Sequence, residues 1–237
     1  MTKVTVRAQA RGGMFLGQDS SNGAYITLKE RATGKVLASG FTNIGDSGTR
    51  MPSYQPTSST SVIVTPGQPD TIHWVTASES TVKFDADFPM NESTLIEFIA
   101  TVPLQPSQGE QQVSMTQWIS PDHNPSVGPG LVMVIPGLWV RPEVAVVDNK
   151  AKIRAKVTMM CGCEINYNSP WIPSDFQVEA LISNGNSKKT IPLVFIDKSQ
   201  FEAEEVIDEK GDYKLEIIGY QKSMGNTGVA HTSFSIS

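Results

Sequence analysis

The 237-residue sequence has few of the residues that usually carry catalysis or metal binding, with only two cysteines and three histidines. The histidines, His73, His123 and His231, form no metalloprotease motif, and no evident nucleophile motif lies beside them. The glycines form neither a dinucleotide-binding nor a phosphate-binding loop pattern. These absences favour a protein that is not an enzyme.

Positive charge is also scarce, since 19 Lys and Arg face 24 Asp and Glu for a formal net charge of -5. No basic cluster is present that would neutralise phosphates, so we expect no nucleic-acid partner. The longest apolar stretch, 131–140, is interrupted by Pro136 and Gly137, and it is far shorter than the roughly 20 residues of a membrane helix. We therefore expect no membrane insertion.

The sequence does not settle the compartment. Residues 1–6 alternate like a strand and lack the apolar core of a signal peptide. The protein either stays where it is made or has lost a leader, in which case an extracytoplasmic, cell-surface or virion location is expected. Two cysteines in one Cys-x-Cys cannot make a disulfide framework, so the redox compartment stays open.

Short strands dominate what is present. Period-2 alternation rich in Val, Ile, Thr and aromatic residues recurs between Gly, Pro, Asn and Ser clusters, whereas no long window has helical periodicity. The length favours two domains. We predict an all-β protein of two tandem antiparallel β-sandwiches, with 1–142 as an N-terminal sandwich with long loops and 143–237 as an immunoglobulin-like sandwich.

The second half carries the more regular pattern. Seven strands are predicted at 144–147, 152–158, 176–183, 190–196, 201–206, 213–220 and 229–236, which is the number an immunoglobulin-like sandwich requires. The segment Glu209-Lys210-Gly211-Asp212-Tyr213-Lys214-Leu215, with Gly225-Asn226-Thr227-Gly228 and the alternation after it, resembles the last two strands of bacterial immunoglobulin-like domains. The resemblance implies that Tyr213 is a tyrosine corner, and it implies a fold rather than an activity.

A weaker resemblance concerns the first half. The segments Ala24-Tyr25-Ile26-Thr27-Leu28, Thr33-Gly34-Lys35-Val36-Leu37-Ala38 and Gly45-Asp46-Ser47-Gly48 are similar to the opening strands of transthyretin-like and carboxypeptidase-regulatory sandwich domains. This similarity supports a sandwich and nothing further.

One run, Met159-Met160-Cys161-Gly162-Cys163, places four sulfur atoms in five residues. Such soft donors select copper(I) or zinc over hard cations. In an extended strand the two cysteines lie about 6.6 Å apart, too far for one metal, so the hypothesis requires a turn at Gly162. In the predicted strand order this turn lies in a loop at the domain junction, where Met224 and His123 are further candidate ligands.

Three interpretations of the run stay open. Its residues are core packing or inert thiols, or they bind a copper or zinc ion, or Cys161 and Cys163 perform redox chemistry, including formation of a disulfide. A disulfide over so short a loop would add little to folding stability.

Three tryptophans, Trp118, Trp139 and Trp171, lie in or beside loops rich in Pro and Gly. Exposed, they would form a contact surface for a partner; buried, they would be core or interface anchors. The sequence as a whole therefore favours a non-catalytic binding or structural protein, such as an appendage, adhesin or virion component, with a protein partner or a homo-oligomer. The alternatives are a soft-metal protein and a thiol redox enzyme.

Overall fold

The computed structural model describes residues 1–18, 23–51, 60–64, 72–102, 108–121, 123, 125–126, 130–185 and 187–237. The chain forms two compact units, Met1–Leu104 with Glu110–Pro136 and Gln105–Gly109 with Gly137–Ser237. Each unit is built from β-strands, which confirms the predicted all-β class. None of the helices in the described part of the chain is long and apolar enough to cross a membrane.

The division between the units lies at Pro136 and Gly137, six residues before the predicted boundary at Pro142. Pro142, at the predicted boundary, lies inside a strand, opposite Ala155. Proline is tolerated there because the strand is at the edge of its sheet, where no neighbour needs the missing N–H. The predicted single strand 131–140 is likewise two strands, separated at Pro136 and Gly137.

The described residues of the first unit form ten strands. They are β1 (Thr2–Ala10), β2 (Tyr25–Glu30), β3 (Val36–Phe41), β4 (Thr49–Met51), β5 (Thr60–Val64), β6 (Ile72–Thr76), β7 (Phe84–Phe88), β8 (Thr94–Val102), β9 (Gln111–Ile119) and β10 (Leu131–Ile135). They form a four-stranded sheet of order β3-β2-β8-β9 and three-stranded sheets of order β10-β1-β7 and β4-β6-β5. The strand pairs described in this unit are antiparallel except β1 with β10, which is parallel.

Strand β1 is the centre of the first unit, because eight of its nine residues are buried. One face carries Val4, Val6 and Ala8 towards the apolar core, as period-2 alternation requires. The opposite face carries Thr5, Arg7 and Gln9, which are also buried. A buried polar face needs hydrogen-bond partners, since unpaired polar groups are costly in the interior.

The segment Ala77–Val82 supplies the partner for Arg7, whereas Thr5 Oγ1 donates to the Asp85 carboxylate at 2.6 Å and Gln9 Nε2 donates to the Gly13 carbonyl at 3.2 Å. The Arg7 guanidinium donates to the Ser78 carbonyl at 3.0 Å, and Val82 is fully buried. Burial lowers the pKa of Arg7, while the nearby carboxylates of Glu79, Asp85 and Asp46 act in the opposite direction. These carboxylates compensate the positive charge of the buried Arg7, and this attraction helps to hold the segment Ala77–Val82 against the sheet.

The second unit contains seven strands, all at or near the predicted positions. They are β11 (Leu138–Val147), β12 (Lys150–Met159), β13 (Phe176–Ser183), β14 (Lys188–Asp197), β15 (Gln200–Val206), β16 (Gly211–Gln221) and β17 (Thr227–Ile236). The 3-10 turn Pro173–Asp175 precedes β13.

Strand β14 connects two layers of this unit. Its first half pairs with β13 and its second half with β15, so the order β11-β12-β15 forms one layer and β13-β16-β17 the other. The layers pack face to face, since a Cβ on Gly219 of β16 would lie 3.3 to 3.5 Å from Leu138, Val157 and Val140. This seven-stranded arrangement is an immunoglobulin-like β-sandwich.

Tyr213 provides an independent check of that assignment. It is buried at the start of β16, and its hydroxyl donates to the Glu209 carbonyl four residues upstream at 2.7 Å. Its ring stacks on Phe234 at 5.3 Å between centroids. These are the features of a tyrosine corner, and the role implied by the resemblance is confirmed.

Candidate functional site

The sulfur-rich run lies at the end of β12 and reverses the chain. Gly162 has φ of +77°, and the N–H of Met159 donates to the Cys163 carbonyl at 3.2 Å. Such a φ is natural for glycine, which has no Cβ to clash with the backbone. The turn places the Cys161 and Cys163 Cα atoms 5.4 Å apart, so the predicted turn at Gly162 is present.

The two cysteines form a disulfide in the structure. Because a thiolate is the metal ligand, the copper or zinc hypothesis applies only to the reduced protein. Met159, Met160 and Cys161 are almost completely buried, which fits their interpretation as core packing. No group of three or more His, Cys, Asp or Glu side chains suited to a metal occurs among the residues that the structure describes.

The two remaining candidate ligands lie in different places. Met224 is half-buried in the turn between β16 and β17. Two residues later in the same turn, Asn226 Oδ1 accepts a hydrogen bond from Gly137 N at 3.0 Å. Since Leu138 pairs with Met159, this turn and the sulfur-rich run share one end of the second unit. His123 belongs to the first unit and is exposed. Neither metal binding nor thiol redox chemistry is tested by this geometry, and both stay predictions.

The outer face of β12 and β15 is a ladder of ion pairs. Lys150 binds Glu204 at 2.7 Å, and Arg154 binds Glu202 at 2.5 Å. Hydrogen bonds from these cations lower the pKa of each carboxyl, that of Glu202 chiefly through Arg154 and that of Glu204 chiefly through Lys150. This part of the second unit is therefore a charged, solvated face with its carboxylates already paired.

The three candidate tryptophans have different surroundings. Trp139 is 3% exposed and lies under the Arg141 guanidinium at 4.1 Å, which fits its interpretation as a buried anchor. Trp171 is half-buried in the loop after β12, where its carbonyl accepts from Asn166 N. Trp118 is 67% exposed at the end of β9. Of the three, Trp118 is the one that presents a large apolar surface to solvent.

Strand β9 is the outermost strand of the four-stranded sheet. It pairs with β8 along all nine residues, and no strand in the described part of the chain pairs with its other side. Its exposed residues are Gln112, Ser114, Thr116 and Trp118. On that side no described strand hydrogen-bonds to the β9 backbone, although β10 lies close to it, and the exposed side chains are uncharged.

The outer face of this sheet is mixed, since Glu97 of β8 lies opposite Thr116 and forms an ion pair with Arg31 at 3.7 Å. Trp118 lies opposite Leu95, and Ser114 lies opposite the half-buried Ile99. At the other edge Tyr25 and Phe41 contact edge to face at 5.0 Å. Aromatic residues such as Trp118, Tyr25 and Phe41 are enriched at protein interfaces.

The sequence matches no protein-family model and no curated protein. Among solved structures, the chain is similar to the chicken interferon gamma receptor alpha chain at 11% identity, with a TM-score of 0.40 and coverage of 100% of this chain and 98% of that one. It is also similar to a DUF3823 family protein from Bacteroides uniformis at 10% identity, with a TM-score of 0.33 and coverage of 99% and 100%. Because these TM-scores are low, the two similarities carry no argument. The immunoglobulin-like fold of the second unit is assigned from its strand order and from the tyrosine corner at Tyr213.

Sequence reasoning identified Trp118 but missed the sheet edge beside it. The missed residues, Gln112, Ser114 and Thr116, carry no distinctive chemistry, so no motif points to them. A signal was nevertheless present, since the nine residues from Gln111 to Ile119 contain no charge, proline or glycine. Whether such a strand is central or at an edge depends on the sheet order, which the sequence does not show.

Proposed function

We propose that this protein is a non-catalytic interaction protein that binds a protein partner through the β9 edge, defined as strand β9 with its exposed side chains. The observation that carries the proposal is the open side of β9 next to the exposed Trp118. A role as an appendage, adhesin or virion component fits such an interaction.

The edge strands β9 and β11 differ in the residues that protect a sheet edge from pairing. Natural sheets protect open edges with charges, proline or short strands, because an unprotected edge pairs with other chains. Strand β11, at the edge of the second unit's sheet, has Arg141, Pro142 and Glu143. Strand β9 has none of these devices over nine residues. An edge left open in this way supports pairing with a partner.

Trp118 adds affinity to such pairing. A tryptophan buries 150 to 250 Å² when it is covered, and tryptophans are enriched among residues that dominate binding energy. Its position beside the open edge places that area where a paired strand would cover it.

Photo-crosslinking in the source cells tests the proposal. Thr116 is replaced by the photoreactive residue p-benzoylphenylalanine, and the control carries the same residue in place of the exposed Glu204 on the charged ladder. We expect adducts of discrete mass from position 116 and none from position 204. Equal labelling at both positions, or no adduct at position 116, contradicts the proposal.

A further inference from the structure

We infer that the partner of the β9 edge is a second copy of this chain, paired antiparallel about a two-fold axis at Met115. The inference rests on the proposed function, because it names the partner for the same surface. Closed two-fold dimers are the commonest assemblies of identical chains, and each presents the same surface to its mate.

The sequence of β9 is compatible with pairing to itself. With Met115 on the axis, Ser114 of one copy lies opposite Thr116 of the other, and Gln112 lies opposite Trp118. Each exposed residue of one copy then lies opposite an exposed residue of the other copy. Each half-buried residue lies opposite a half-buried or buried residue. A one-residue slip would break this match, because it moves each side chain to the other face.

Charge also favours this partner. Like charges directly opposite each other destabilise a strand pair, and β9 contains no charged residue, so self-pairing brings none together. At the edge of the β10-β1-β7 sheet, β7 carries Asp85 and Asp87 within five residues. Two copies of that strand would place carboxylates close together.

Three other uncharged strands at sheet ends, β3, β5 and β10, are shorter than β9. Strand β10 has five residues, and strand β3 has six, including Gly40. The chain just beyond β3 is occupied by its own unit, since Asn43 N donates to the Lys83 carbonyl at 2.8 Å. Strand β17, at the end of the second unit's sheet, has ten residues without Lys, Arg, Asp or Glu, but Gly109 N donates to its Val229 carbonyl at 2.8 Å. Among the uncharged outer strands in the described part of the chain, β9 is therefore the longest that no such backbone hydrogen bond occupies.

The polar side chains of β9 suit the contact. Ser and Thr opposite each other hydrogen-bond across strands, and Gln112 extends over the indole of Trp118 in the second copy. Pairing thus covers the side chain that is 67% exposed in the single chain. The β3-β2-β8-β9 sheet of each copy becomes half of a continuous eight-stranded sheet.

Sedimentation equilibrium of the purified 25.7 kDa chain over a concentration series tests the inference. We expect a monomer–dimer equilibrium for the natural sequence. The double variant Ser114→Lys/Thr116→Lys places lysines opposite lysines across the axis, and we expect its dissociation constant to rise by about tenfold or more. A purely monomeric natural chain at every concentration overturns the inference.

Two further samples make the test specific for the register. The variant Ser114→Glu/Thr116→Glu is expected to be monomeric alone but to form a mixed dimer with the lysine variant, because opposite charges then meet. The control Val36→Lys/Ser39→Lys adds the same charge at exposed positions on β3 and is expected to dimerise like the natural chain. A failure of the mixed pair to associate, or an equal loss in the control, contradicts the assigned register.

The crosslinking experiment separates the two proposals. If the chain is monomeric and position 116 crosslinks to a different protein, the second copy is wrong as the partner and the interaction function stands. If position 116 gives no adduct, the β9 edge is not the interaction surface, and both proposals fail.

Discussion

At the scale of single residues, Tyr213 links sequence, fold and stability. Its hydroxyl joins the start of β16 to the Glu209 carbonyl, and its ring stacks on Phe234. Tyr213→Phe removes the hydrogen bond and keeps the ring, so we expect the free energy of unfolding to fall by about 1 kcal/mol. Urea unfolding of the natural chain and the variant measures the change.

Tyr25→Phe is the control for that prediction. The Tyr25 hydroxyl also hydrogen-bonds, to Ser39 Oγ at 3.1 Å, but at an exposed position. We expect a loss below about 0.5 kcal/mol, since exposed groups exchange one hydrogen bond for another with water. Equal losses in the two variants would show that the tyrosine corner has no special part in stabilising the second unit.

The resemblance of its segment to bacterial immunoglobulin-like domains predicted the role of Tyr213 correctly, whereas residue type did not separate exposed from buried tryptophans. Tyr213 was identifiable because it stands in a local pattern of turn and strand residues. Trp118 and Trp139 have the same chemistry, yet one is exposed and the other buried. Their difference depends on which strands flank them, and a single sequence does not specify this.

At the scale of elements, the segment Ala77–Val82 shows how a polar strand face is covered. Asp46 holds this segment, since Thr81 Oγ1 donates to its carboxylate at 2.9 Å and Ser80 Oγ also donates to it. These bonds, chiefly that from Ser80, lower the pKa of Asp46 below its usual 3.8. The carboxylate contributes stability above that pH, and the contribution is lost as the pH falls through the lowered pKa.

We therefore expect the unfolding free energy of the natural chain to fall below pH 3.8 more steeply than that of Asp46→Asn. The difference at neutral pH should stay below about 1 kcal/mol, because Asp46 is exposed and its interactions are screened. Urea unfolding from pH 2.5 to pH 6 measures both quantities. Asp87→Asn, an exposed change on β7, is the control, and an acid dependence unchanged by Asp46→Asn contradicts the prediction.

Most elements of the second unit were predictable, whereas the first unit was harder. Alternation and turn residues indicated all seven strands from β11 to β17, because each strand exposes one face to solvent. Alternation is a poorer guide to β1, whose polar residues Thr5, Arg7 and Gln9 are buried like its apolar ones. Pairing partners, such as the parallel β10, lie far away in sequence and leave no local signal.

At the scale of the whole molecule, the chain forms two β-sandwich units, and its proposed function lies at a sheet edge rather than in a pocket. The sulfur-rich run, which attracted the first chemical hypothesis, is mostly buried and closed by a disulfide. The strand that contains Trp118 has ordinary composition but an open side. Function in such a protein depends on which surfaces the fold leaves unpaired.

Hydrogen exchange at two protein concentrations tests the central claim most directly. Backbone amides at an open edge exchange readily, and pairing with another strand protects them. We predict that raising the concentration of the natural chain slows exchange in β9 and leaves β3, at the opposite end of the same sheet, unchanged. Exchange in β9 that does not depend on concentration, in a sample that nevertheless forms dimers, would contradict the claim that this edge is the interaction surface.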